Sequence, residues 1–487
     1  MKTIVFLDRL RMTTLYIKLT NCLNGIKIVH IAYSEEEAKI LIHNGIKPDY
    51  IYLDLFKEEY DNCIVDRDYL RIIESDIVKY SNKRFNLNSA IQSDRGFALL
   101  NYDECLKSVI SHYNVWCKIF KDQHVDLIAH EPCSLFFNFI ASILCKKQGG
   151  VYSYQVSSRS DKYKFAYLND NNDDNDYIEL KHHFKYYYSN IQEVDCDRCK
   201  QFLLKFREEK KVFLGDVINR RKPFLKLLYI AIKAFIYKII HCNKEDRIYN
   251  NISYWGIVTN KAWNKVLNIL YYKIYGISFT KELPNNEDFF FYPIHLEPEA
   301  AISFLGDGLY KNQIKLIENI AASLPVGFYL YVKDHPHEYA YRSFEDYKRL
   351  LDIPNIRLLD QSIPAKVIIP KSAGVITING TSGFEAMLMN KKVFCFGNNQ
   401  YSFLHRVHYV ENIKDLRDII DNSMDENLTD DEELMAYVMA YLESCHPGYT
   451  DCYTGGHYID NFDEEENAKQ IAKDMVNYID YLNSLCK

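Results

Sequence analysis

Along its first third, the chain alternates short apolar runs with stretches whose apolar residues recur at helical spacing. Lys2–Asp8 reads as a buried strand and Lys27–Tyr33 (KIVHIAY) as another. Ser34 follows, with Glu37 three residues on, a capping-box pattern that opens a helix running to His43. Asp49–Leu55 (DYIYLDL), after Gly45 and Pro48, predicts a third strand. Val125–His130 and Val151–Val156 predict two more, flanking an apolar helix from Leu135 to Cys145. Short apolar strands separated by helices predict a parallel, doubly wound α/β sheet, a Rossmann-like domain over residues 1–190.

Between about 180 and 280 the pattern turns helical, and residues 191–284 read as a linker region. Within it, 219–244 is apolar and aromatic with Lys222, Lys226 and Lys233 on one face. Such a helix suits an anionic membrane surface, or packs between domains with its lysines in water. The alternation resumes from Asp288. Strands are predicted at Phe289–Pro293, Gly327–Val332, Ile356–Leu359, Gly374–Ile378 and Lys392–Phe396, with helices at Tyr310–Ser323, Ser343–Leu351 and Gly383–Met389. This is a second Rossmann-like domain, residues 285–410. Helices at Glu432–Leu442 and Glu464–Leu485 close the chain in a region spanning 411–487.

With 487 residues there is room for two or three domains, and 48% hydrophobic with 26% charged residues is a globular balance. The net charge of −7 argues against a general nucleic-acid binder. The 40 tyrosines are a surplus that suits wet clefts and interfaces, or that reflects coding bias. Thirteen cysteines, with a lone CxxC at Cys196 and Cys199, give no zinc-ribbon spacing and fit a reducing cytosol. The adjacent Asp195, Asp197 and Arg198 read as a solvated turn, and 169–176 (NDNNDDND) as a solvated loop lacking the EF-hand spacing. The N-terminal apolar run is ended by Asp8, too short for a signal segment, and no stretch is long enough to cross a bilayer. A cytoplasmic protein is expected, peripheral to the inner membrane if the basic helix binds there.

Polar residues at strand ends carry the candidate chemistry, because ligands of open α/β sheets bind beyond the carboxyl ends of the strands. In the second domain, VKDHPH places Lys333, His335 and Pro336 after a strand, where a stiff turn can offer a ring N–H and a positive charge to a phosphate. In TINGTSGFEA, Gly380, Thr381 and Ser382 lead into a helix whose N-terminus can surround an anion. Glu385 would take ribose hydroxyls or serve as a capping-box carboxylate. In FFFYPIHLEPEA, two prolines crowd His295, Glu297 and Glu299, a setting that shifts protonation. In the first domain, VDLIAHEP sets His130 and Glu131 at a strand end; Glu131 is a candidate general base, with Asp8 as rival. Arg159 could pair with an acidic sugar or phosphate, or be a surface charge.

At these residues the chain resembles the bacterial capsule and surface-polysaccharide biosynthesis glycosyltransferases, nearest their Kdo-transferase-like and sialyltransferase-like members. IHLEPE, VKDHPH and GTSGFEA stand in the order of that family's three motifs, and the likeness covers about 288–400. It implies a GT-B fold, two Rossmann-like domains facing a cleft. His335, Thr381 and Ser382 would then meet the donor phosphate, Glu385 the ribose, and His295 and Glu299 the donor pocket, with Glu131 as base. Glu297 departs from the family's usual Gln, and a carboxylate there repels an anionic donor unless protonated or paired. The implied donor is a CMP-linked acidic sugar, Kdo or another nonulosonic acid. It would be used as substrate without metal or other cofactor, in keeping with the lack of an Asp-x-Asp motif at a strand end of the second domain. The acceptor would be a surface or lipid-linked glycan. A CDP-alcohol glycerophosphotransferase, a UDP-sugar epimerase and a non-catalytic glycan-assembly subunit are the alternatives.

Overall fold

A computed structural model of the chain describes residues 2–158, 164–169, 177–209, 279–283, 286–297, 300–306, 308–335, 342–450 and 462–485, with positions 229, 232, 233, 236, 264 and 453. It divides into two compact units: Met1–Asp94, Asn101–Cys199 and Met435–Lys487 form the first, and Arg95–Leu100 with Lys200–Leu434 the second. The first carries β1 (Thr3–Asp8), β2 (Lys27–Ala32), β3 (Tyr50–Ile51), β4 (Leu127–His130), β5 (Val151–Ser157) and β6 (Lys164–Asn169). The second carries β7 (Asp288–Pro293), β8 (Phe328–Lys333), β9 (Ile356–Leu359), β10 (Gly374–Thr377), β11 (Lys392–Cys395) and β12 (Val407–Tyr409). The chain then returns to the first unit for β13 (Cys445–Pro447).

In the first unit the strand order is β13-β6-β5-β4-β1-β2-β3, and in the second β12-β11-β10-β7-β8-β9. The second sheet is parallel throughout. The first is parallel from β1 to β5 and mixed at one edge, where β6 runs antiparallel to β5 and β13 antiparallel to β6. The α/β reading with two Rossmann-like domains is what the chain adopts. The edge pair was not foreseen, because β13 has three residues and acquires meaning only by pairing with a strand some 280 positions earlier.

β1 (TIVFLD) is buried at every position and lies in the middle of its sheet. On one side Ile4 and Phe6 share a core with Leu15, Tyr16 and Leu19 of the helix Met12–Thr20, and with Ile471, Met475 and Tyr478 of the helix Glu464–Leu485. The terminal region expected as separate C-terminal helices is, from Met435, part of the first unit's core. In the second unit β7, β8 and β10 bury Phe290, Tyr292, Val332 and Ile376 against Ile317 and Ile320 of the helix Gln313–Ser323.

Two local expectations are corrected. Asp49–Leu55 contributes only Tyr50–Ile51 to the sheet, and Tyr52 begins a helix to Asn62. Tyr52, Phe56 and Tyr60 recur every fourth residue and are its buried face, so helical burial outweighs the apparent alternation. Asp195 and its neighbours do not form a turn but start the helix Cys196–Glu208, Asp195 accepting from the Arg198 N–H. There Cys196 is exposed, while Cys199 is buried against the Met435 carbonyl, so the two thiols share no ligand. Among the described residues no helix is long and apolar enough to cross a membrane, and no group of His, Cys, Asp and Glu could hold a metal ion. The loop 170–176 lies outside the described residues, as does most of 219–244.

Candidate functional site

In the second unit the three motifs converge at the carboxyl ends of β7, β8 and β10, adjacent strands that bring distant segments together by pairing alone. His295, just past β7, is buried, and its Nε2 stands 3.1 Å from Thr377 Oγ1 at the end of β10. The same hydroxyl accepts from the Gly380 N–H at 3.1 Å, fixing the turn into the helix Thr381–Leu388. Only glycine fits at this turn. A Cβ on Gly380 would lie 2.7 Å from His295 Cε1, and one on Gly383 would lie 2.3 Å from the Tyr401 hydroxyl. That hydroxyl donates to the Gly380 carbonyl at 2.7 Å and locks the turn from the other side.

Gly380 is the N-cap of this helix and gives no side-chain cap. Thr381 and Ser382 occupy its first two positions, Thr381 exposed and Ser382 half-buried, so their hydroxyls lie where the helix end carries partial positive charge. The capping-box alternative for Glu385 fails, since the third helical position is Gly383 and Glu385 comes two residues later. Glu385 instead lies within electrostatic reach of Lys333 and Lys366.

Burial pulls the Lys333 ammonium down to about 8, against the opposing carboxylates of Glu385 and Asp360, so at neutral pH it remains mostly charged. Its Nζ donates to the Ile363 carbonyl at 2.5 Å. His295 is pushed down to about 3 by burial first, then by His335 and Arg342, and is a neutral imidazole at physiological pH. His335 is half-buried and close enough to exert that effect.

The awkward carboxylate of Glu297 has partners. Arg342 Nη1 donates to it at 2.9 Å, and the Gln313 amide donates to its other oxygen. Arg342 also holds Asp334 through Nε at 2.9 Å and the His295 carbonyl at 3.2 Å. Although burial works against its charge, Asp334 and Glu297 keep the guanidinium above its usual value. Gln313 reads both backbone groups of His295, accepting from its N–H at 2.8 Å and donating to its carbonyl at 3.1 Å. Sequence reasoning missed Arg342, Gln313 and Tyr401. None sits in a motif, and only the fold brings them to the three strand ends.

In the first unit, β1, β2 and β4 end at a second polar cluster. Asp8 is fully buried, its Oδ2 2.9 Å from His30 Nδ1, and burial pushes its carboxyl up to about 6 against the hydrogen bond and charge of His30. Arg9 is buried against the rings of Tyr33 and Phe137, with Nη1 3.8 Å from Glu131 Oε2. Glu131 keeps a quarter of its side chain exposed. The Tyr152 hydroxyl donates to the Glu131 carbonyl at 2.7 Å and fixes the strand end. His130, a candidate from its place at the strand end, is 2% exposed, packs edge-on against Phe137, and is driven down to about 3 by burial and then Arg9. It is a core histidine. Arg9 and His30 were not foreseen. Arg159, Glu299 and Pro336 lie outside the described residues.

Residues 218–405 match the family described as capsule polysaccharide biosynthesis protein. No curated protein matches the chain. Among solved structures, the beta Kdo 2,7 transferase of Thermosulfurimonas dismutans KpsC aligns over 97% of this chain and 99% of that one, at 10% identity and a TM-score of 0.34. The beta Kdo 2,4 transferase of the same KpsC covers 66% of this chain and 82% of that one, at 11% identity and a TM-score of 0.30. The UDP co-structure of S. aureus MnaA covers 100% and 98%, at 11% identity and a TM-score of 0.27. Alignments of that quality carry no argument about activity. The family match stands on its own span, which contains IHLEPE, VKDHPH and GTSGFEA. It bears out the resemblance drawn from those motifs: residues 218–405 are similar to the family described as capsule polysaccharide biosynthesis protein.

Proposed function

We propose that the chain is a glycosyltransferase that moves an acidic sugar, Kdo or another nonulosonic acid, from a CMP-linked donor to a surface-polysaccharide or lipid-linked glycan. The observation that carries this reading is the convergence of His295, Thr377, Gly380, Lys333 and His335 at the N-terminus of the helix Thr381–Leu388. A glycine turn, two hydroxyls and oriented amides at the helix end, with a buried ammonium on β8, suit a phosphate. Pairing of Glu297 with Arg342 supports an anionic donor, because the carboxylate that would repel it is neutralised.

In this reading the phosphate of CMP rests on Thr381, Ser382 and His335, Lys333 supplies charge from below, and Glu385 takes the ribose hydroxyls. Glu131 removes the proton of the acceptor hydroxyl, whose oxygen attacks the anomeric carbon while CMP departs with the bonding electron pair. The donor is substrate, and the reaction needs no resident cofactor. We extend the reading to a contact between residues 219–244 and an anionic membrane surface. Tyr229, Ile232, Lys233 and Ile236, the described positions of that segment, are helical and exposed.

Thermal shift with CMP, CDP, UDP and GDP tests the donor. Stabilisation is expected with the cytidine nucleotides, and His335→Ala should abolish it while the unliganded melting temperature stays unchanged. A clear preference for UDP would overturn the CMP assignment in favour of epimerase chemistry. Stabilisation by none of the four would favour an assembly subunit.

A further inference from the structure

Thr20, at the end of the helix Met12–Thr20, has a single hydroxyl proton, and it donates that proton to the Tyr16 carbonyl at 2.8 Å. The same oxygen lies 2.9 Å from His30 Nε2. With the hydroxyl hydrogen on the Tyr16 carbonyl, the oxygen faces the ring as an acceptor and Nε2 carries a hydrogen. The other ring nitrogen, Nδ1, is 2.9 Å from Asp8 Oδ2. Heavy-atom distances alone leave the tautomer open, and the Thr20 bond to the Tyr16 carbonyl is what favours the Nε2–H form.

We propose that Asp8 and His30 hold one proton between them, and that Thr20 is the positioning residue that enforces this by fixing His30 as the Nε2–H form. With the shared proton in place the pair is neutral overall, either as carboxylic acid and imidazole or as carboxylate and imidazolium. Without it, a bare Nδ1 lone pair faces the Asp8 carboxylate and the pair carries one negative charge. Two lone pairs opposed in a buried site are unfavourable, so the arrangement holds its proton well above the range of an ordinary aspartate. Burial of Asp8 acts in the same direction.

The charge that comes and goes lies among few others. Glu37, from the helix Glu35–His43, opposes ionisation of Asp8. Tyr16, one turn before Thr20, has a buried hydroxyl without a hydrogen-bond partner, and burial, Glu131 and Asp8 all keep it protonated. Asp49 accepts from the His30 backbone N–H at 2.8 Å, while Arg9, His130 and Glu131 line the ends of β1 and β4. Asp8 Oδ1 is buried and likewise has no partner. The pair is thus a one-proton store at the strand ends that hold the proposed base. Its catalytic consequence rests on the glycosyl-transfer reading, whereas the proton arrangement does not.

The test is the nitrogen spectrum of the full-length chain labelled in its histidine rings, recorded as a function of pH, with the His30 signals assigned by their loss in His30→Gln. The expected result is an Nε2-bound hydrogen at every pH from 5 to 8, with Nδ1 losing its share of the proton as pH rises. In Thr20→Val the acceptor is gone, so the neutral ring should switch to the Nδ1–H form, donating to the Asp8 carboxylate. The pair's midpoint should then fall by roughly half a pH unit or more, the worth of one hydrogen bond. Thr20→Ser should restore both signatures, and it serves as the comparison if the valine variant does not fold. A wild-type ring with bare Nε2, or a Thr20→Val spectrum like the wild type, would overturn the proposal. Loss of nucleotide binding with an unchanged His30 spectrum would sink the transfer reading alone.

Discussion

At the scale of single residues, Arg342 is the most consequential side chain of the second unit that no motif announces. It is the sole bridge among the contacts described here between Asp334, which is 1% exposed, and Glu297. Removing one member of a buried ion network strands the others in low dielectric, which typically costs about 3–5 kcal/mol. Arg342→Ala is therefore expected to lower unfolding free energy by about that amount, read by chemical denaturation. A loss under about 1 kcal/mol would mean that water reaches Asp334 and that the network is not structural. His295, Glu297 and Lys333 were legible because strand-ending prolines and polar residues mark where a parallel sheet stops. Arg342, Gln313 and His30 were not, since their importance lies in partners reached only through the fold. His130 shows the converse: its place in a polar motif suggested exposure, but the residue ends a central strand and turns inward under Phe137.

At the scale of elements, signals that are complete within a few residues read true. The capping box of Ser34 and Glu37 forms as expected, both of its bonds present. The strands β1, β2, β4, β5 and β7 to β11 lie where apolar runs placed them, within a residue or two. The long helix Tyr102–Asp122 escaped notice because its buried face includes Cys105, Ser108 and Ser111, which dilute the apolar stripe. The segment 219–244 offers an element-scale prediction. Each lysine near an anionic surface contributes about 1 kcal/mol, and the exposed Tyr229, Ile232 and Ile236 supply apolar area. The chain should float with vesicles containing phosphatidylglycerol and remain behind with purely zwitterionic ones. Lys222→Glu, Lys226→Glu and Lys233→Glu together should abolish flotation. Equal behaviour on both vesicle types would assign the segment to packing within the protein.

At the scale of the whole chain, two features of the sequence acquire a physical meaning that composition could not supply. The tyrosine surplus is to a large degree core material. Tyr52, Tyr152, Tyr292, Tyr331 and Tyr347 are fully buried, their hydroxyls bonded to His112, the Glu131 carbonyl, Gln313, Glu287 and Asp334 respectively. Tyrosine can serve there because each ring adds apolar area while its polar tip is satisfied. The second feature is the path of the chain, which completes the first unit only after the second has been made. Ile471, Met475, Tyr478, Ile479 and Leu482 sit in one core with Ile4, Phe6 and Leu15, and β13 covers the otherwise open edge of β6. Burial of each large apolar side chain is worth about 1.5–3 kcal/mol. Five of them together therefore match the whole stability of an ordinary domain, about 5–15 kcal/mol. A chain ending at Leu434 should accordingly retain a folded second unit and lose the first. Hydrogen exchange would read this directly: amides of β1 and β4 should exchange at the rate of unfolded chain, while those of β7 and β10 stay protected. Adding residues 435–487 as a separate peptide should restore protection in β1 to a measurable extent, because the missing helix face is supplied whole. Full protection of β1 in the shortened chain would mean that the first unit closes its core without the returning segment.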